Sequence, residues 1–415
     1  MKFFQNSLFS FIVAIAIVAA FFALNSPFVP AEGWTGHDSE SYIKIAEGKI
    51  SEVVRPFSGR ILFPLVAGWL SEALFSDTTA AFLFLSSLSL LAFLALSGAI
   101  LRGAFKWPVL IIPLFFLPYF SEILREFFPP DLFYAFLTAL FFFLLYKGKE
   151  WPALIVLFLL FLTRESTLLL GALFVGVSWM RGKRRLAIVA AAVSLIAIAL
   201  AGIAGGGGAP NAYHIGGAAY LALKLPYNFA VNALGMRLWT NAFTFCEPVW
   251  KAALPAFGFL GNIREVGFCN FDATFPLGTL ATILSIFGIM PLALFLSLPK
   301  DRKGYAGMPF WLFLALLYGV VHYFVGVIAG TGVFRIVGYG WPAFLLAAPF
   351  LMKDKFALGK SQLLWLSALQ LLSAWLPALA LKAGLSPIYA SLLAIAFSLM
   401  AYAFAFRILR PRVAF

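Results

Sequence analysis

The sequence predicts an all-α, polytopic integral membrane protein, and three observations carry that prediction. The 415-residue chain is 63% hydrophobic but only 11% charged, where soluble domains carry about a quarter charged residues. Its mean hydropathy is +0.97. The apolar residues fall into repeated runs approaching the length that crosses a ~30 Å hydrocarbon core as helix. Between the runs, Lys and Arg collect in alternate connections. The chain reads as one membrane domain, residues 1–415, with two larger excursions on one face, 25–76 and 205–275.

The first run, 6–24, follows Lys2 and lacks a small-residue cleavage site, so it is expected to remain as a first helix. The excursion 25–76 then gathers His37, Asp38, Glu40 and Tyr42 within six residues. A helix start fits there, with Asp38 as N-cap and Tyr42, Ile43, Ile45 and Ala46 as its apolar stripe. Asp38 is thus open to two readings, a cap tied to backbone N–H groups or a reactive carboxylate. Arg55 and Arg60 follow. The apolar segment 61–75 is placed against or dipping into the outer leaflet, because counting it as a span would spoil the charge alternation.

Runs at 78–101 and 107–121 are the next two spans. Beyond them Glu122, Arg125 and Glu126 end a helix, Pro129-Pro130 stops it, and Asp131 caps the next. The ordinary role of Glu122 and Arg125 is a local pair at i,i+3. Spans follow at 131–146, 151–163, 166–180 and 186–204. Arg164-Glu165 interrupts the apolar stretch from Trp151 to Met180, either as a hairpin tip in which the two pair or as part of a site.

The excursion 205–275 opens with Gly205-Gly206-Gly207-Gly208-Ala209. It contains Tyr213-His214, two amphipathic stretches near 217–236 and 239–260, and both cysteines. On an extracytoplasmic face Cys246 and Cys269 are expected to pair, with two free thiols as the alternative. The last spans are 276–298, 308–328, 333–352, 361–381 and 387–406, about twelve in all. His322 reads as a hydrogen-bonded core histidine, and Arg335, Tyr339 and Trp341 as a cluster at the outer end of their helix.

With the N-terminus inside, the inner connections hold about 18 of the 30 basic residues and only Glu150, Asp301 and Asp354 among the acids. Both termini are then cytoplasmic. The net charge of +13 orients the protein and does not point to nucleic acid. The unusual polar residues fall on the outer, periplasmic or otherwise extracytoplasmic face. Ionisable groups near membrane depth mark sites and pathways.

Asp38-Ser39-Glu40-Ser41-Tyr42-Ile43-Lys44-Ile45-Ala46 resembles the D-x-x-x-Y-x-x-I-A segment in the first outer loop of GT-C-type glycosyltransferases. It is most similar to the GPI mannosyltransferase branch and its bacterial relatives, and Leu62-Phe63-Pro64-Leu65 resembles the F-P-L segment that follows there. The resemblance covers about 30 residues. It implies a polyprenyl-phosphate-linked hexose donor, mannose in the branch named, and an extracytoplasmic site with Asp38 as base. Glu40 has no fixed counterpart and is carried as a second catalytic acid. No cofactor is required by these residues, and a divalent metal stays open.

The chemistry fits the residues independently of the resemblance. A base must take the acceptor hydroxyl proton, whether that hydroxyl belongs to a glycan, a lipid or a protein. The leaving lipid phosphate suits bidentate arginine, for which Arg60, Arg164 and Arg335 stand first, with Arg55, Arg125 and His214 behind them. His37, Tyr42, Glu122, Asp131 and Glu165 complete the residues expected along the substrate. One base opposite the leaving group implies inversion. Two rivals remain: a secondary transporter or flippase for a lipid-linked or anionic substrate, with polar broken helices at the midplane, and a polymerase or ligase of lipid-linked glycans.

Overall fold

The computed structural model describes residues 2–24, 37–53, 57–104, 114–204, 217–241, 246–255, 263–330, 332–356 and 358–409. Arg55 and His214 lie outside them. The chain begins with α1 (Lys2–Leu24), α2 (His37–Ala46) and α3 (Leu62–Leu70), the last widening into a π turn over Ser71–Phe75. Next come α4 (Thr78–Leu101), α5 (Pro118–Arg125), α6 (Asp131–Tyr146), α7 (Glu150–Phe161), α8 (Thr167–Met180) and α9 (Arg184–Ala204). After α10 (Gly217–Leu234) stand three strands, β1 (Met236–Thr240), β2 (Trp250–Ala253) and β3 (Glu265–Phe271). The chain closes with α11 (Thr274–Ser285), α12 (Met290–Ser297), α13 (Arg302–Gly307), α14 (Phe310–Ala329), α15 (Val333–Gly338), α16 (Ala348–Lys355), α17 (Lys360–Lys382) and α18 (Pro387–Leu409).

The protein is a helical multi-pass membrane protein, but the described helices long and apolar enough to cross number six, or seven if the bent pair α11–α12 is one span. Of the other expected spans, 6–24 and 107–121 fall only in part on residues whose side chains are described, and the remaining three fall on short helices. Helices α6, α7 and α8 hold 16, 12 and 14 residues, which rise only ~24, ~18 and ~21 Å. They pack among neighbours, α6 burying its Leu132, Tyr134, Leu137, Phe141 and Phe142 face, so burial in protein replaces part of the lipid contact. The segment 61–75 likewise forms a helix too short to span, packed on α2 and α4.

The described residues are overwhelmingly helical, as the all-α expectation has it, and the strands are a small addition. They form one antiparallel sheet in the order β1-β3-β2, with Leu238 opposite Phe268 and Lys251 opposite Gly267. Cys246 and Cys269 are joined, their Cα atoms 6.1 Å apart, which ties the connection before β2 to β3. By the chain-entropy argument this link is worth about 3 kcal/mol. Reduction should therefore raise protease cleavage within 236–271 by roughly a hundredfold, since local opening follows its free energy; unchanged cleavage would show that the link contributes nothing.

The two ends of the bundle differ in chemistry. At one end Lys183 pairs with Glu150, and Arg181 donates to the carbonyls of Ala306 and Met308 at 2.6 and 2.9 Å. Lys355 reaches the Leu298 carbonyl at 3.2 Å and Lys353 that of Gly103 at 3.0 Å. The connections singled out as basic in the sequence thus meet in space.

At the other end stands a second, smaller core in which Tyr42, Ile45, Phe63, Phe82, Phe127 and Phe128 are buried together. This core fixes α2 and α3 against α4. A Cβ on Gly68 would lie 2.3 Å from the Ala46 carbonyl oxygen, so only glycine lets these two helices touch. Closeness of the same kind sets α15. A Cβ on Gly319 would meet the Ala343 nitrogen at 2.4 Å, and one on Gly338 would enter the Tyr119 ring. Small residues at helix crossings allow this approach, and it fixes Arg335 and Tyr339 over α14.

Candidate functional site

The Pro129-Pro130 pair ends the preceding segment and delivers Asp131 to the first turn of α6. There its side chain is only 2% exposed. A carboxylate so buried needs several donors, and three side chains from two segments supply them. Arg164, from the turn between α7 and α8, donates Nη1 to Asp131 Oδ1 at 2.7 Å. Arg335 of α15 closes a fork on the same group, its Nε 2.9 Å from Oδ1 and its Nη2 on Oδ2. The Tyr339 hydroxyl donates to Oδ1, and the Arg164 guanidinium lies over the Tyr339 ring at 4.9 Å.

The network opens outward through Arg335. Its Nη1 is 3.6 Å from Asp38 Oδ2, and the Asp38 side chain is 47% exposed. Asp38 sits in the first turn of α2, which His37 begins. One guanidinium therefore bridges a sunken carboxylate and an open one.

Beside it stands a second pair. Arg60 donates Nε to Glu165 Oε2 at 2.8 Å and Nη2 to Oε1, while its Nη1 donates to the Tyr42 hydroxyl at 2.7 Å. The backbone holds the two segments together, the Leu62 N–H donating to the Leu162 carbonyl at 3.1 Å. Partial burial opposes the charge on Glu165, but the adjoining Arg60 guanidinium outweighs that and holds its carboxyl below the usual carboxylate range. Three guanidiniums and three carboxylates are thus interleaved.

Of the residues singled out in the sequence, Asp38, Tyr42, Arg60, Asp131, Arg164, Glu165 and Arg335 come together. Arg164 does not pair with its neighbour Glu165; it turns to Asp131, and Glu165 turns to Arg60. Glu122 and Arg125 pair across 3.8 Å at the end of α5, as their spacing allows. Glu40 points to Lys44 one turn along α2, at 3.0 Å and with both side chains substantially exposed. Pairs of this kind contribute only about 0.3–0.5 kcal/mol. Glu40→Gln is therefore expected to change turnover by no more than about threefold; a loss that depends on added divalent metal would instead give Glu40 a ligand role. Among the described residues no group of three His, Cys, Asp or Glu side chains could hold a metal ion.

Two features carry no local signal. Tyr339 reads as an interfacial anchor in the sequence, yet it is buried against Asp131. His322 is 4% exposed, and both its ring nitrogens lack a hydrogen-bond partner among the described residues, which corrects the expectation of a hydrogen-bonded histidine. It stands edge-on to Tyr318 at 4.6 Å and to Tyr339 at 5.7 Å, and Tyr318 shares a 2.9 Å hydroxyl contact with Tyr134. An aromatic and polar layer thus lies directly beneath Asp131.

Fold and site together define a multi-pass helical membrane protein with an arginine–carboxylate network at the end of the bundle opposite its basic connections. Neither protein-family models nor curated proteins match the chain.

Proposed function

We propose that the protein is a GT-C-type glycosyltransferase that moves a hexose from a polyprenyl phosphate to an acceptor hydroxyl of a glycan, lipid or protein. The observation that carries this reading is Asp38, a half-exposed carboxylate held beside Arg335 at the open end of a buried charge network. A base there can take the acceptor proton as the hydroxyl oxygen attacks the anomeric carbon. The bond from that carbon to the phosphate oxygen breaks, and the polyprenyl phosphate leaves with the electron pair. Arginines at that depth steady the charge on the leaving phosphate. Asp131 never meets substrate in this scheme; it takes the Arg335 fork and so holds the remaining Nη1 beside Asp38.

The orientation belongs to the same reading. The basic end is taken as cytoplasmic, with both termini there, the network extracytoplasmic, and the short helices completing about twelve spans. Helices α7 and α8 rise only ~18 and ~21 Å from that end to the turn that carries Arg164. The site then lies below the outer boundary of a ~30 Å core, at a depth reached by a lipid phosphate drawn slightly inward.

A flippase or transporter is the second reading. The bend of 60° between α11 and α12 is the feature that favours it, since broken helices form transporter sites. In those sites the freed backbone groups face substrate. Here Tyr323 donates to the Ile283 carbonyl, Tyr402 to that of Leu284 at 2.8 Å, and Gln370 accepts from the Ile289 N–H at 2.9 Å. Because neighbouring side chains occupy the break, it serves packing, and the enzyme reading stands ahead. A polymerase or ligase of lipid-linked glycans would use the same arginines and is separated by its independence of Asp38. The test is transfer of labelled hexose from a panel of polyprenyl-phosphate sugars in proteoliposomes. Label in an acceptor supports the enzyme, and label that only crosses the bilayer supports the flippase.

A further inference from the structure

The three arginines of the network differ as receptors for an anion. Arg164 and Arg335 hold Asp131, whose carboxylate is sealed between α6, α15 and the turn before α8. No incoming group can take its place without opening the core. Arg335 also meets the half-exposed Asp38, but through Nη1 alone at 3.6 Å. Arg60 differs in that both donors of its fork close on an open carboxylate, Glu165 being 58% exposed while Arg60 is 8% exposed.

Arg60 is also held from behind. Its Nη1 donates to Tyr42, which is fully buried, and the Phe57 ring lies 5.2 Å from the guanidinium carbon. Tyr42 and Phe57 in turn meet edge to face at 5.8 Å. The fork therefore keeps its direction when its front partner leaves. Nε and Nη2 present two parallel donors to Glu165, the arrangement in which a guanidinium grips a phosphate.

We propose that Glu165 stands where the substrate's anionic group binds, and that a polyprenyl phosphate displaces it from Arg60. The proposal rests on the glycosyltransferase reading and adds to it which arginine receives the phosphate and what it gives up to do so. Binding becomes an exchange of anions, so the buried guanidinium is paired at every stage and never bears the cost of an uncompensated charge. The carboxylate also competes with the phosphate, which weakens binding. That competition speeds release of the polyprenyl phosphate once the sugar has gone.

The test is equilibrium binding of a polyprenyl phosphate to the full-length protein in nanodiscs. Wild type is compared with Glu165→Gln, Arg60→Lys and the double variant. Removing the competing anion should tighten binding about tenfold, and replacing the fork by a point charge should weaken it about tenfold. In the Arg60→Lys background the gain from Glu165→Gln should largely vanish. Equal or weaker binding by folded Glu165→Gln overturns the proposal, as does a gain that persists undiminished in the double variant. Should Glu165→Gln fail to fold, the structure of the wild type with the polyprenyl phosphate decides instead. Phosphate on the Arg60 fork with Glu165 turned away supports the exchange, and a bound phosphate with the Arg60–Glu165 pair intact contradicts it. If no variant, nor the wild type, binds the polyprenyl phosphate, the glycosyltransferase reading itself falls; binding that ignores Glu165 removes only the exchange.

Discussion

Asp38→Asn is expected to fold and insert normally while losing at least about a hundredfold in turnover, the low end of what a positioned base supplies. The side chain is half exposed and touches Arg335 at 3.6 Å from one oxygen. Loss of its charge therefore removes a long, partly hydrated ion pair and leaves Arg335 with its Asp131 fork. Thermal stability should fall by less than about 1 kcal/mol, as for other exposed pairs. Turnover and melting point measured on one preparation separate the two effects. Near-native turnover would remove Asp38 from the chemistry.

Asp131→Asn should do the reverse and strike stability first. The amide keeps the shape of the carboxylate but leaves Arg164 and Arg335 without their shared counter-charge, inside a core where Arg164 is nearly as inaccessible as Asp131. Breaking a buried pair from one side costs about 3–5 kcal/mol, and here one carboxylate serves two arginines. Unfolding in denaturant should shift by that amount. Adding Arg164→Met to Asp131→Asn should recover part of the loss, because it withdraws the charge left without a carboxylate, whereas Arg335 still has Asp38 at 3.6 Å. A midpoint for Asp131→Asn equal to wild type would show that the arginines find their partners elsewhere.

What the sequence makes legible follows from how far each cause reaches along the chain. Membrane class and the basic end come from composition and alternation, which need no knowledge of contacts. Which of the shorter runs cross is not legible in that way, because a run such as 151–161 is equally apolar whether it crosses lipid or packs half-way among neighbours. The sheet is missed for a related reason: the stretch near 239–260 is amphipathic, but strand pairing is decided by β3, beyond its end. Among site residues, the cluster of Asp38 and Tyr42 is local and visible. Asp131 is visible as a helix start, yet its partners stand 33 and 204 residues away. Arg164-Glu165 shows the limit most clearly. Adjacent opposite charges invite pairing with each other, and the turn between α7 and α8 instead sends each to a different partner segment. His322 is the converse case, since whether its nitrogens find partners depends on which groups of distant helices the fold brings around the ring.

The central claim is a single displacement at the anomeric carbon with Asp38 as base, and the stereochemistry of the product tests it most directly. A polyprenyl-phosphate hexose of defined anomeric configuration, incubated with the full-length protein and an acceptor, yields a glycoside whose configuration can be read by nuclear magnetic resonance. The opposite configuration from the donor is predicted, with formation abolished in Asp38→Asn. A product that retains the donor's configuration, or one formed equally well without the Asp38 carboxylate, would contradict the account.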